Sequence, residues 1–147
     1  MRKLLIIIAI AALFGIADSA YLSYAALRDL PLPCTLLDGC NEVARSPYSK
    51  VFGVPLALYG LLFYAAVGGL ALAALASPRR VLLSLIKFFA LLGFLLSIYF
   101  TYLQAVKINA FCIYCLASAA FATIIFACSL FLKAPETPAA PPNSPVI

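Results

Sequence analysis

Four apolar runs, at about residues 4–27, 54–76, 82–106 and 111–132, dominate the chain. Each approaches the ~20 residues a helix needs to cross the hydrocarbon core of a bilayer. Composition agrees: 66% of the residues are hydrophobic and 10% charged, mean hydropathy is +1.12, and a soluble domain carries roughly 25% charged residues. The expected fold class is an all-α integral membrane protein, a four-transmembrane-helix bundle. Runs two and three are joined by little more than Ser77-Pro78-Arg79-Arg80, and runs three and four by Lys107-Ile108-Asn109-Ala110. Links this short make antiparallel neighbours.

Only the first link, residues 28–53, is long, and it holds Pro31, Pro33, Gly39 and Pro47 with balanced charges. It is expected to be a functional loop. Residues 1–133 form one membrane domain, followed at 134–147 by a Pro-rich tail that cannot bury apolar area and is expected to be disordered. The first run mimics a signal peptide, with Arg2-Lys3 ahead of it and small residues at Ala17, Ser19 and Ala20. Its apolar stretch runs on through Leu27, long enough to stay as a helix.

Arg2, Lys3, Arg79, Arg80 and Lys133 fall on one side of the bundle, and Arg28, Arg45, Lys50 and Lys107 on the other. This bias places both termini in the cytoplasm and the 28–53 loop outside. The expected location is the cell inner (plasma) membrane, multi-pass. The chain has no His, so histidine acid/base chemistry is absent. Its ten Lys and Arg form no basic stripe with interleaved aromatics, which argues against nucleic acid as a partner.

Four of the five cysteines form two close pairs, Cys34 and Cys40 in PCTLLDGC and Cys112 and Cys115 in NAFCIYC. With two hairpin-type links between them, three crossings bring both pairs to one membrane face. That face should be the oxidising, extracytoplasmic one. Four cysteines allow three pairings. Asp38-Gly39 are turn-formers that let the loop close a disulfide. Asn109 suits an N-cap, which would put Cys112 at the third helical position and stabilise its thiolate. Cys115 follows one turn deeper on the same face. An accessible Cys112 beside a buried Cys115 suits thiol exchange.

Two blander readings compete. Both pairs can be structural staples, although a bridge across a helical CxxC is strained and easily reduced. The four thiols can also hold zinc, although the CTLLDGC spacing is wider than a zinc knuckle; no metal site is expected. Cys128 lies mid-helix and reads as a small packing residue. Asp18 lies about two turns inside the first run, a costly place for a carboxylate that hints at function.

The chain resembles the vitamin K epoxide reductase family, in particular its bacterial members. The likeness rests on Tyr21-Leu22-Ser23-Tyr24, the loop cysteine pair, Ser46 six residues after Cys40, Phe52-Gly53-Val54-Pro55 and the CxxC that opens the fourth helix. The resemblance implies an electron relay. Cys34 would exchange with a separate extracytoplasmic thioredoxin-like protein, Cys40 would pass electrons to Cys112, and Cys115 would reduce a quinone of ubiquinone or menaquinone type. Ser46 would lie near that quinone, and among the aromatics of the outer half Phe52 is expected to stack on its ring. Vertebrate epoxide-reducing members carry an Asn and a Tyr where this chain has Ser49 and Ala119, which speaks for plain quinone reduction. Tyr59, Tyr99, Phe100, Tyr102, Phe111 and Tyr114 crowd the same half of the bundle. The expected activity is a membrane thiol oxidase supporting disulfide formation in secreted proteins. The alternative is a non-enzymatic tetraspan scaffold or a thiol-lined soft-metal transporter.

Overall fold

A computed structural model describes residues 1–135; most of the tail expected to be disordered lies outside the described residues. Four long helices form the bundle: α1 (Arg2–Leu27), α3 (Leu56–Ala76), α4 (Arg80–Leu103) and α5 (Ile113–Leu130). All four are long and apolar enough to cross a membrane. Helix α1 packs on α3 and α5, and α4 closes the ring against both. A short helix, α2 (Cys40–Arg45), lies in the long loop. The Arg80 side chain donates to the Pro135 carbonyl at 3.2 Å, so the α3–α4 link and the end of α5 meet at one end of the bundle, opposite the long loop.

Lipid tails are as apolar as leucine, so close packing rather than hydrophobicity holds such helices together. Small residues supply it. A Cβ on Gly68 would come within 3.3 Å of the Ala12 methyl, and the Tyr64 ring occupies the space a side chain at Gly15 would need. Ile8, Ala12, Val67, Ala71, Ile86 and Ile125 fill the buried core. Leu13, Phe14, Leu62, Leu72, Phe88 and Leu95 point outward, a surface that suits lipid and would aggregate in water.

Three local features differ from the sequence expectations. Helix α3 begins at Leu56 rather than 54, because Val54–Pro55 (β2) pairs antiparallel with Lys50–Val51 (β1). Phe52 (φ 52°) and Gly53 (φ 76°) form the two-residue turn between them, the left-handed geometry a tight hairpin requires.

After Leu103 the third span widens into a π-helical turn, Gln104–Ile108. Asn109 closes this turn in the left-handed conformation (φ 53°), and its N–H reaches the Gln104 carbonyl. Asn109 is thus the C-cap of one helix and not the N-cap of the next. Asparagine serves either purpose, since its short polar side chain tolerates both backbones. Helix α5 consequently starts at Ile113 with Cys112 itself as N-cap.

Candidate active site

Two sets of hydrogen bonds hold the long loop in place beside the cysteines. Asn41, the second residue of α2, accepts the Leu32 N–H on Oδ1 at 2.8 Å and donates Nδ2 to the Leu32 carbonyl at 3.2 Å. This two-point clamp fixes the spacing between the chain entering Cys34 and the helix beginning at Cys40. Tyr114 of α5 donates its hydroxyl to the Pro33 carbonyl at 3.0 Å, and its ring packs on Tyr21 of α1 with centroids 5.5 Å apart. Cys34 and Cys40 are joined by a disulfide, with Cα atoms 6.2 Å apart.

Cys40 and Cys112 are both sealed from solvent, at 0% and 1% exposure, in one cluster with Ala25 and Leu32. Cys34 and Cys115 pack against that cluster while remaining partly exposed. Both cysteine pairs therefore meet at one end of the bundle. Cys112 and Cys115 are free thiols, so the loop pair is oxidised and the helix pair reduced.

Cys112 is covered from the loop side, because Gly39 lies against Phe111 and Ala110 and Cys40 packs in the same cluster, while Cys115 lies one turn further in and opens onto the cavity. As an N-cap, the Cys112 sulfur makes no capping hydrogen bond of good geometry. Its thiol is nonetheless held down to about 7: the Cys115 thiol hydrogen-bonds it, and the N–H groups of Cys115 and Tyr114 at the open helix end favour the charge, while burial and the Asp18 carboxylate oppose it.

Beneath the cysteines lies a cavity of about 840 Å³ between α1, α3, α4 and α5, within the range that holds cofactor-sized ligands. Cys40, Cys112 and Cys115 line it, with Phe63, Tyr64 and Phe100 among the aromatics. Ser46 lines it too, its hydroxyl donating to the Val43 carbonyl at 2.8 Å. Phe52 does not. It stands 97% exposed at the tip of the β1–β2 turn, where the positive φ throws the ring away from the helices, so the expected stacking residue is placed outside the cavity. Of the other aromatics expected nearby, Tyr59 and Phe100 line the cavity and Tyr99 and Tyr102 face outward.

Sequence reasoning missed Gln104, Tyr64 and Ser118. The Tyr64 hydroxyl donates to the Ser118 carbonyl at 2.6 Å and lies 2.8 Å from the Ser118 hydroxyl, a polar girder between α3 and α5. Gln104, 4% exposed, accepts the Cys112 N–H on Oε1 at 3.0 Å. A signal for it existed: it is the chain's only glutamine, and it lies in an apolar run eight residues before Cys112. Asp18 is absent from the cavity wall; its Oδ2 is buried without a hydrogen-bond partner among the described residues. Cys128 packs against the central core, away from the other four.

Fold and site together define a class of protein, the membrane-embedded helical bundle that carries two cysteine pairs at the mouth of an apolar cavity. The chain belongs to the Vitamin K epoxide reductase family, which it matches over residues 6–130. It is also similar to the thiol-disulfide oxidoreductase LTO1 of Arabidopsis thaliana, with 34% identity over 119 residues that cover 74% of this chain and 31% of the relative. The chain thus spans about a third of that relative's length.

Proposed function

We propose that this protein is a membrane thiol oxidase that takes electrons from a reduced, thioredoxin-like protein outside the cytoplasm and delivers them to a quinone, supporting disulfide formation in secreted proteins. The observation that carries this reading is the convergence of Cys40, Cys112 and Cys115 on one lipid-embedded cavity. The cavity fits a quinone: it is of cofactor size, its wall carries aromatic faces, and a few polar groups punctuate it.

The steps follow from thiol–disulfide exchange. Cys34, the partly exposed sulfur, takes the attack of the partner thiolate; a second attack frees the partner as a disulfide and leaves Cys34 and Cys40 reduced. With Cys112 and Cys115 oxidised, the Cys40 thiolate then attacks the Cys112 sulfur, forming a Cys40–Cys112 bond and expelling the Cys115 thiolate. Attack of Cys34 on Cys40 restores the loop disulfide and expels Cys112. A thiol held near 7 leaves readily as thiolate, so the depressed Cys112 suits this last step.

After this internal transfer the loop pair is a disulfide and the helix pair a dithiol. A bound quinone supplies a two-electron, two-proton acceptor, by which Cys112 and Cys115 return to the disulfide. Ser46 is proposed as a polar contact at the cavity wall. The extracytoplasmic placement rests on the lysine and arginine distribution and on the oxidised loop pair. In their disulfide, Cys34 and Cys40 offer no thiolate to a metal, which favours redox chemistry over the soft-metal alternative.

The test is Cys115→Ala in purified protein, supplied with a reduced dithiol partner and a soluble quinone. Quinone reduction is expected to stop while the loop disulfide still accepts electrons. Unimpaired turnover would overturn the proposal.

A further inference from the structure

Resting on the reading of the cavity as a quinone seat, we propose that Gln104 is the hydrogen-bond donor that grips a quinone carbonyl and sets the ring beside the Cys112–Cys115 pair. Its amide is held at both ends of its own residue. The backbone carbonyl accepts the N–H groups of Asn109 and Ala110, and the side-chain Oε1 accepts the Cys112 N–H at 3.0 Å. An N–H can only be met by the oxygen of the amide, so this bond fixes which end of the side chain is which. Nε2 and its two hydrogens are thereby directed elsewhere, on a residue that lines the cavity and is 4% exposed.

No hydrogen bond from Nε2 forms among the described residues, and Nε2 is not one of the sealed atoms left without a partner, so its hydrogens stay accessible to a ligand. Several polar groups of the wall are engaged, and those that are not, such as Tyr48, Ser97 and Thr101, have no bond to the cysteine pair. Ser46 donates to Val43, Tyr59 to Val51 and Tyr64 to Ser118. Gln104 thus combines free donors with a direct link to the reactive pair. Its seat in a π-turn fits, since such single widened turns recur at functional sites. A donor fixed before the ligand arrives needs no reorganisation when the carbonyl gains negative charge on reduction. It favours the oxidised ligand: a quinone carbonyl only accepts, which Nε2 matches, whereas a quinol hydroxyl can accept from Nε2 but also carries a proton that Nε2 cannot take.

Gln104→Glu and Gln104→Met separate the two ends of the amide. At about pH 9.5, above the range to which burial raises a carboxyl, the glutamate still accepts the Cys112 N–H but donates nothing, and Met does neither. The probe is menadione, carbonyl-labelled with carbon-13, bound to the purified protein in nanodiscs. The labelled carbonyl stretch is expected to lie below its free value in the parent protein and to return toward it in both variants. KM for menadione should rise about tenfold in Gln104→Glu, the loss of roughly one hydrogen bond, while the rate of loop-disulfide reduction by dithiothreitol stays unchanged. A carbonyl shift that persists in Gln104→Glu with KM within twofold of the parent would overturn the assignment of Gln104 alone. A parent protein that neither binds nor reduces menadione would overturn the quinone reading and this inference with it.

Discussion

Gly39 rests directly on the backbone of Phe111: a Cβ built on Gly39 would lie 2.7 Å from both the Phe111 nitrogen and its carbonyl oxygen. The contact joins the residue before Cys40 to the residue before Cys112. It is made by main chain on one side, so neither partner can swing away as a flexible side chain would.

Gly39→Ala should therefore push α2 off the 110–112 segment. Overpacking of this kind costs about 1–3 kcal/mol, and here the displacement falls between the two cysteine pairs. Single-turnover transfer from a reduced Cys34–Cys40 pair to an oxidised Cys112–Cys115 pair is expected to slow by at least about tenfold. Reduction of the loop disulfide by dithiothreitol should be little changed. An unaltered internal transfer rate would mean that this contact does not set the approach of the two pairs.

Cys112 supplies a pH dependence. Its thiol is held down to about 7, against an ordinary value near 8.5, so above neutrality it is a thiolate and below it carries a proton. The sign follows: with the loop pair oxidised and the helix pair reduced, thiolate absorbance near 240 nm should rise with a midpoint around pH 7. Removing the neighbouring thiol that hydrogen-bonds it, in Cys115→Ala, should move that midpoint upward. A midpoint that stays put would show that the Cys115 thiol is not what favours the Cys112 charge.

The Asn41 clamp makes both bonds to one residue, Leu32. Asn41→Ala removes both and leaves a part-buried N–H and carbonyl unmatched, at a cost of about 1–3 kcal/mol. Because Leu32 and Cys34 are near neighbours in the chain, hydrogen exchange at residues 30–40 should accelerate. Asn41→Asp keeps the acceptor and loses the donor, so it should give an intermediate effect.

Phe52 and Phe100 make opposite predictions. Phe100 lines the cavity, and Phe100→Ala is expected to raise KM for a soluble quinone several-fold through lost aromatic contact. Phe52, nearly fully exposed at a turn, should leave KM unchanged when replaced by Ala. Equal effects of the two would restore the stacking role expected from the sequence.

The spans were the most legible part of the chain. Each is fixed by apolar content summed over some twenty residues, so no single misread position moves it much; the observed α3 and α5 start only two residues from the expected 54 and 111. What was illegible was decided between segments. Asn109 carries an N-cap composition, yet the π-turn upstream directs it to close α4 instead. Phe52-Gly53 reads as a helix entry, yet two residues on either side pair as strands. The cover over Cys112 depends on where α2 lies, and the spacing of a CxxC says nothing about a neighbouring helix. The meeting of the two cysteine pairs, in contrast, follows from counting crossings, because short links leave the chain no other route.

Two cysteine pairs in one cluster give the molecule two places to hold electrons. In the relay proposed above, the loop can reset and meet a second soluble partner before the first load has left through the lipid phase. Encounter in water and diffusion in the bilayer then need not be synchronised, and the slower of the two does not stall the other until both reservoirs are full.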